Sequence, residues 1–68
     1  MKLTNRQKEI ILAVAQCDMS LNRVAEMLYF HRNTVVYHCD AIHRLTGLNP
    51  RRFYDLEKLV KIVRCEDG

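Results

Sequence analysis

No apolar run in this 68-residue chain approaches the roughly 20 residues needed to span a bilayer, so no transmembrane helix is expected. The start, MKLTNRQKEI, lacks the apolar segment and small-residue cleavage site of a signal peptide, and the expected location is the cytoplasm. Low-complexity tracts and blocks of like charge are also missing, and 49% apolar with 28% charged residues is an ordinary globular balance, which excludes a disordered chain. There is no strand-like alternation and no repeat at periods of 20 to 50 residues. The three cysteines, Cys17, Cys39 and Cys65, are odd in number and have no CxxC spacing, so they fit reduced thiols better than a disulfide framework. Cys17 and Cys39 fall on helical apolar stripes, where a small side chain is buried.

A chain of 68 residues holds one domain, 1–68, with no room for a second core. At this size folding hides only roughly 60% of the surface that the unfolded chain exposes, so a partner subunit would add stability.

Four helices account for the pattern. Thr4 and Gln7 have capping-box spacing and open a helix over about 5–17, with Ile10, Ile11, Val14 and Cys17 on one face. Asp18 and Met19 break the rhythm, and Ser20 is an N-cap for a second helix over about 21–28, striped by Leu21, Val24, Ala25 and Leu28. Ala25 is small enough to let two helices cross closely. Tyr29, Phe30 and His31 form a short turn in which Phe30 can plug the core, although the usual turn glycine is absent. A third helix over about 32–46 buries Val35, Cys39, Ile42 and Leu45 and stops at Gly47. Asn49-Pro50 reads as an N-cap and first-turn proline for a fourth, over about 50–64, striped by Phe53, Leu56, Leu59, Val60 and Val63. The expected fold is all-α: a three-helix core containing a helix-turn-helix, plus a C-terminal helix.

The string HRNTVVYHCDAIHRLTGLNP, with the apolar helix after it, resembles the C-terminal DNA-binding domain of the PucR/CdaR family of bacterial transcription regulators. The likeness runs from about Ser20 to Val63, carried by His31-Arg32-Asn33-Thr34, Tyr37, Ile42 and Leu45-Thr46-Gly47-Leu48. An overlapping likeness, in Leu3-Thr4, Arg6, Glu9, Thr34-Val35 and His38, is to the LuxR/FixJ four-helix DNA-binding domain. Both imply the same architecture and a DNA partner. In both families such domains usually follow a sensory or receiver domain, and Val36 and His38 stand where PucR-type members commonly have more basic residues.

If the third helix lies in a major groove, its first turns reach base edges. A 100° wheel leaves Arg32, Asn33, Val36, Tyr37 and Asp40 outside. Arg32 can bridge O6 and N7 of guanine, Asn33 can pair with adenine N6 and N7, and Val36 can meet a thymine methyl. Each has a plainer alternative. Arg32 can hold only a phosphate; Asn33 can cap the helix. Thr34 resembles a phosphate-contacting hydroxyl but can back-bond within the helix; Tyr37 can donate to phosphate, stack, or pack on the second helix. Asp40 repels phosphate and marks the limit of a DNA-facing surface.

Charge agrees in position. Between Asn22 and Arg52 stand Arg23, Arg32, Arg44, Arg51 and Arg52 against Glu26 and Asp40, which carries the whole formal excess of +3. With His31 these arginines complete the expected DNA contacts, a small footprint that two copies would double. A homodimer through the fourth helix, at Phe53, Leu56, Leu59, Val60 and Val63, is therefore expected. The clustered His31, His38, Cys39 and His43 lack a complementary ligand pair, and a Cys39–His43 dyad would need an exposed thiol and a pocket, so neither a metal site nor an enzyme is expected. No cofactor or small-molecule ligand is implied. The competing function is an adaptor of helix-turn-helix shape that binds protein instead of DNA.

Overall fold

The computed structural model describes residues 3–67; Met1, Lys2 and Gly68, part of the expected 1–68 domain, lie outside them. It contains α1 (Asn5–Gln16), α2 (Leu21–Leu28), α3 (Arg32–Thr46) and α4 (Phe53–Asp67), with no strand among the described residues. The fold is the expected all-α four-helix arrangement.

Helix α1 is the centre. It packs against each of the other three, α2 and α3 pack against each other, and α4 packs against α1 alone. That position demands more than one stripe, and α1 accordingly buries Ile10, Ile11, Ala13 and Val14. Its start is fixed locally: the Gln7 N–H donates to Thr4 Oγ1 at 3.1 Å and the Thr4 N–H to Gln7 Oε1 at 2.9 Å, the two halves of a capping box. Leu3, immediately before that cap, is buried as well, beyond the stripe that periodicity picks out.

Cys17 is the C-cap of α1 rather than its last residue, and the chain turns through Asp18 and Met19, both at positive φ. Ser20 then caps α2 by accepting the Arg23 N–H at 3.4 Å. Helix α2 ends in a Schellman motif: the Phe30 N–H donates to the Ala25 carbonyl at 2.8 Å and the Tyr29 N–H to Glu26 at 3.4 Å. Tyr29, with φ 58°, takes the left-handed position that a turn glycine would fill. Phe30 does pack against the core, with the Arg6 guanidinium 4.7 Å from its ring centroid and the His38 ring at 6.1 Å.

Two boundaries around α4 differ from expectation. The helix begins at Phe53, not Pro50, and runs to Asp67. Asn49 caps a tight turn and not the helix: its Oδ1 accepts the Arg51 N–H at 2.9 Å, its carbonyl accepts the Arg52 N–H at 3.0 Å, and its own N–H donates to Asp55 Oδ2 at 3.1 Å. Pro50 is fully buried within that turn. At the end of α3, Gly47 adopts φ 76° and donates to the His43 carbonyl at 2.8 Å. Thr46 Oγ1 donates to the Ile42 carbonyl at 2.8 Å and accepts the Leu48 N–H at 3.0 Å, so the Leu45-Thr46-Gly47-Leu48 element is a folding signal. Leu45 itself is 43% exposed, because α4 packs on α1 and leaves the last turn of α3 uncovered.

The stripe of α4 is also divided differently. Leu56, Leu59 and Val63 are buried in the chain's own core and are not available to a second subunit as expected. Of the five expected interface residues only Phe53, which is exposed, and Val60, which is half-buried, keep an outer surface.

Candidate nucleic-acid interface

The outer surface of α3 follows from its spacing. Asn33, Tyr37, Asp40 and Arg44 recur at intervals of four, three and four, the repeat that keeps side chains on one helical face, and all four are exposed. Arg32 and His31 are exposed beside them. Behind this face Val35, Cys39 and Ile42 are buried in the core. Arg44 lies twelve residues beyond Arg32, about 18 Å along the axis, so the two arginines mark opposite ends of the helix.

Several of the open alternatives are narrowed. The N-cap of α3 is His31, which makes no side-chain cap hydrogen bond. Asn33 therefore does not cap the helix, and neither Asn33 nor Thr34 spends its side chain on a hydrogen bond within the described residues. Thr34 is half-buried. Tyr37 is 64% exposed and does not pack down on α2; its ring meets the His38 ring edge-on at 5.6 Å. Val36 departs from expectation. It is half-buried and packs against the core, so less of it is free for a thymine methyl.

Tertiary packing also joins residues that sequence spacing does not connect. Arg32, opening α3, and Arg51, in the turn before α4, line one shallow polar cleft of about 280 Å³ with Ser20, Leu21 and Asn22 at the start of α2. No acidic side chain lines this cleft, and no acidic residue stands in the first turn of α2 or α3. Two arginines thus line a cleft beside the starts of α2 and α3, where the positive ends of helix dipoles lie, and both features suit an anion. Arg23 and Arg52 are exposed nearby in sequence, on α2 and before α4. Ion pairs form elsewhere, Arg6–Glu9 at 3.1 Å and Lys61–Glu57 at 3.7 Å among them, and none of Arg23, Arg32, Arg44, Arg51 and Arg52 is paired with a carboxylate among the described residues.

No group of three or more histidine, cysteine or acidic side chains converges among the described residues. Burial pushes the Cys39 thiol from its usual 9.0 up to about 11; neighbouring Asp40 adds to the rise and Arg51 opposes it. The thiol is thus protonated near neutral pH, with no thiolate to attack or ligate. The raised value is also a stability statement. Below about pH 9 folded and unfolded chains both hold the proton and the contribution is complete; above it the unfolded chain loses the proton first, and stability falls until about pH 11. Urea unfolding across that interval is expected to show an extra loss of up to roughly 2–3 kcal/mol that Cys39→Ala lacks. Equal slopes for the two proteins would place the thiol in contact with solvent.

Fold and outer face together define a helix-turn-helix domain, whose second motif helix here is α3. The family described as the PucR C-terminal helix-turn-helix domain matches residues 8–60, and the chain belongs to it. Membership points to a DNA-binding regulator, and domains of this kind are typically non-enzymatic. Comparisons with curated proteins and with solved structures find no match. No helix among the described residues is long and apolar enough to cross a membrane.

Proposed function

We propose that the chain is a sequence-specific DNA-binding transcriptional regulator of the cytoplasm, with α3 reading the major groove of double-stranded DNA and two copies acting together. The observation that carries this reading is the convergence of Arg32 and Arg51, both without a carboxylate partner, beside the starts of α2 and α3, with Asn33 and Tyr37 exposed on the adjoining face. The guanidinium groups suit phosphates, and the amide and phenol suit base edges or the groove wall. His31, Thr34 and Val36 contribute at the edge of this surface, and Arg23, Arg44 and Arg52 extend its electrostatic footprint. Helix-turn-helix dimers present their reading helices to half-sites one helical turn, about 34 Å, apart.

The homodimer is carried by Phe53 and Val60. Both line a groove of about 460 Å³ beside α1 and α4, with Ala15, Met19 and Leu56 as its other apolar residues and the charged Asp18, Glu57, Lys61 and Arg64 also lining it. Phe53→Ser and Val60→Ser are expected to shift a sedimenting dimer to monomer while the fold persists, since neither residue is fully buried.

Selection of bound duplexes from a random pool, followed by titration over a salt series, tests the main reading. The expected result is a recovered motif and an affinity that falls steeply with salt, as phosphate neutralisation requires. The groove at Phe53 and Val60 also suits an adaptor that binds protein. If no duplex binds at low salt while the chain associates with itself, the adaptor reading replaces DNA binding.

A further inference from the structure

Among the described residues three non-glycines stand at positive φ: Asp18, Met19 and Tyr29. A bulky side chain pays for that conformation, and each case needs a compensation. Asp18 is of a type that tolerates the left-handed region. Met19 is half-buried and packs against the core. Tyr29 has neither excuse: its side chain is 95% exposed, and its hydroxyl has no hydrogen-bond partner among the described residues. Glycine would fill this corner more stably, because nothing that the phenol ring does within the fold offsets the strain.

The corner is nevertheless firmly held. The backbone N–H groups of Tyr29 and Phe30 are tied to Glu26 and Ala25, and Phe30 is contacted by the Arg6 guanidinium and the His38 ring. Tyr29 is thus projected from a fixed base, three residues ahead of Arg32, the first residue of α3. Three peptide units reach at most about 11 Å between Cα atoms, and a major groove is about 12 Å wide. With α3 entering a groove by its first turn, an exposed side chain based within that distance can reach the groove wall, where phosphates are. We propose that Tyr29 is a DNA-contact residue whose phenol hydroxyl donates to a backbone phosphate at the rim of the groove that α3 enters. This rests on the DNA-binding reading above, and it adds a contact that the arginine-centred interface does not contain. Fold stability is given up at this position in exchange for affinity.

The test uses the full chain and the duplexes selected by the wild type, plus a random-sequence duplex at low salt. Tyr29→Gly and Tyr29→Asn both accept the left-handed turn, Asn without the extra freedom of glycine. Tyr29→Gly is expected to raise the urea midpoint. All three of Tyr29→Gly, Tyr29→Asn and Tyr29→Phe are expected to weaken binding by about 3- to 10-fold, the worth of one hydrogen bond, on every duplex alike. Wild-type affinity in all three variants overturns the proposal. A loss in Gly and Asn that Phe does not share overturns the hydroxyl–phosphate contact and assigns the effect to the ring. A wild type that binds no duplex overturns the DNA reading itself, and this inference with it.

Discussion

Leu59→Ala is expected to destabilise the chain by about 3 kcal/mol, within the 2–5 kcal/mol that truncating a buried leucine costs. Leu59 is wholly buried, and with Leu56 and Val63 it forms the inner face of α4. That helix packs against α1 and nothing else, so a cavity at Leu59 lies in the one surface that attaches it. Domain stabilities run near 0.05–0.15 kcal/mol per residue, which for a chain of 68 residues gives about 3–10 kcal/mol in all. The substitution therefore removes roughly 30% of the stability or more. At about 4–8 °C per kcal/mol for a domain of this size, the melting temperature should drop by roughly 12–24 °C.

The same substitution separates two uses of α4. Were Leu59 an interface residue, Leu59→Ala would yield a folded monomer, and its melting temperature would approach that of the wild type at low protein concentration. Burial within one chain requires instead that the drop be the same at every concentration. Circular dichroism melts over a hundredfold concentration range decide between them. A folded, dissociated Leu59→Ala protein would refute the packing described for α4.

The α4 case shows why the sequence conveys some features and not others. An amphipathic stripe announces that a face is covered, but not by what. Leu56, Leu59 and Val63 read equally well as core or as dimer contact until α1 is seen to take them. Signals confined to a few residues were legible: Thr4 with Gln7, Ser20 and Gly47 each act through backbone groups within five positions, and each does what its spacing implies. Asn49 failed by ambiguity of the same chemistry. Its side chain can accept an N–H at the start of a helix or at a turn, and Asp55, reaching back from α4 to the Asn49 N–H, accompanies the turn. The candidate site was half legible. A 3.6-residue period puts Asn33 and Tyr37 outside, whereas the meeting of Arg32 with Arg51 across nineteen residues depends on how α2 and the turn before α4 come together. The missing turn glycine is visible in the sequence; that Tyr29 bears the consequence is visible only in its φ of 58°.

That meeting of Arg32 with Arg51 bears on the remaining prediction. An arginine at the start of a reading helix can form a two-pronged contact with guanine or hold a phosphate, and the two roles leave different traces. Arg32, the first residue of α3, shares its cleft with Arg51 and with Ser20, Leu21 and Asn22, and no acidic side chain lines it, so its surroundings suit an anion. A phosphate between Arg32 and Arg51 satisfies both cations and the nearby helix dipoles at once; a guanine edge would use one and leave Arg51 unmatched. Arg32→Ala is accordingly expected to weaken all duplexes by about 1–3 kcal/mol, to lower the salt slope by about 1, and to leave the order of preference among sequences intact. Arg32→Lys should recover much of the loss, because a point charge serves a phosphate but not a two-pronged base contact. Asn33→Ala should do the reverse, relaxing preference at one base pair by about 1–3 kcal/mol with the salt slope unchanged. If Arg32→Ala instead loses discrimination at a single G·C pair at constant slope, Arg32 reads the base, and Arg51 holds the phosphate alone.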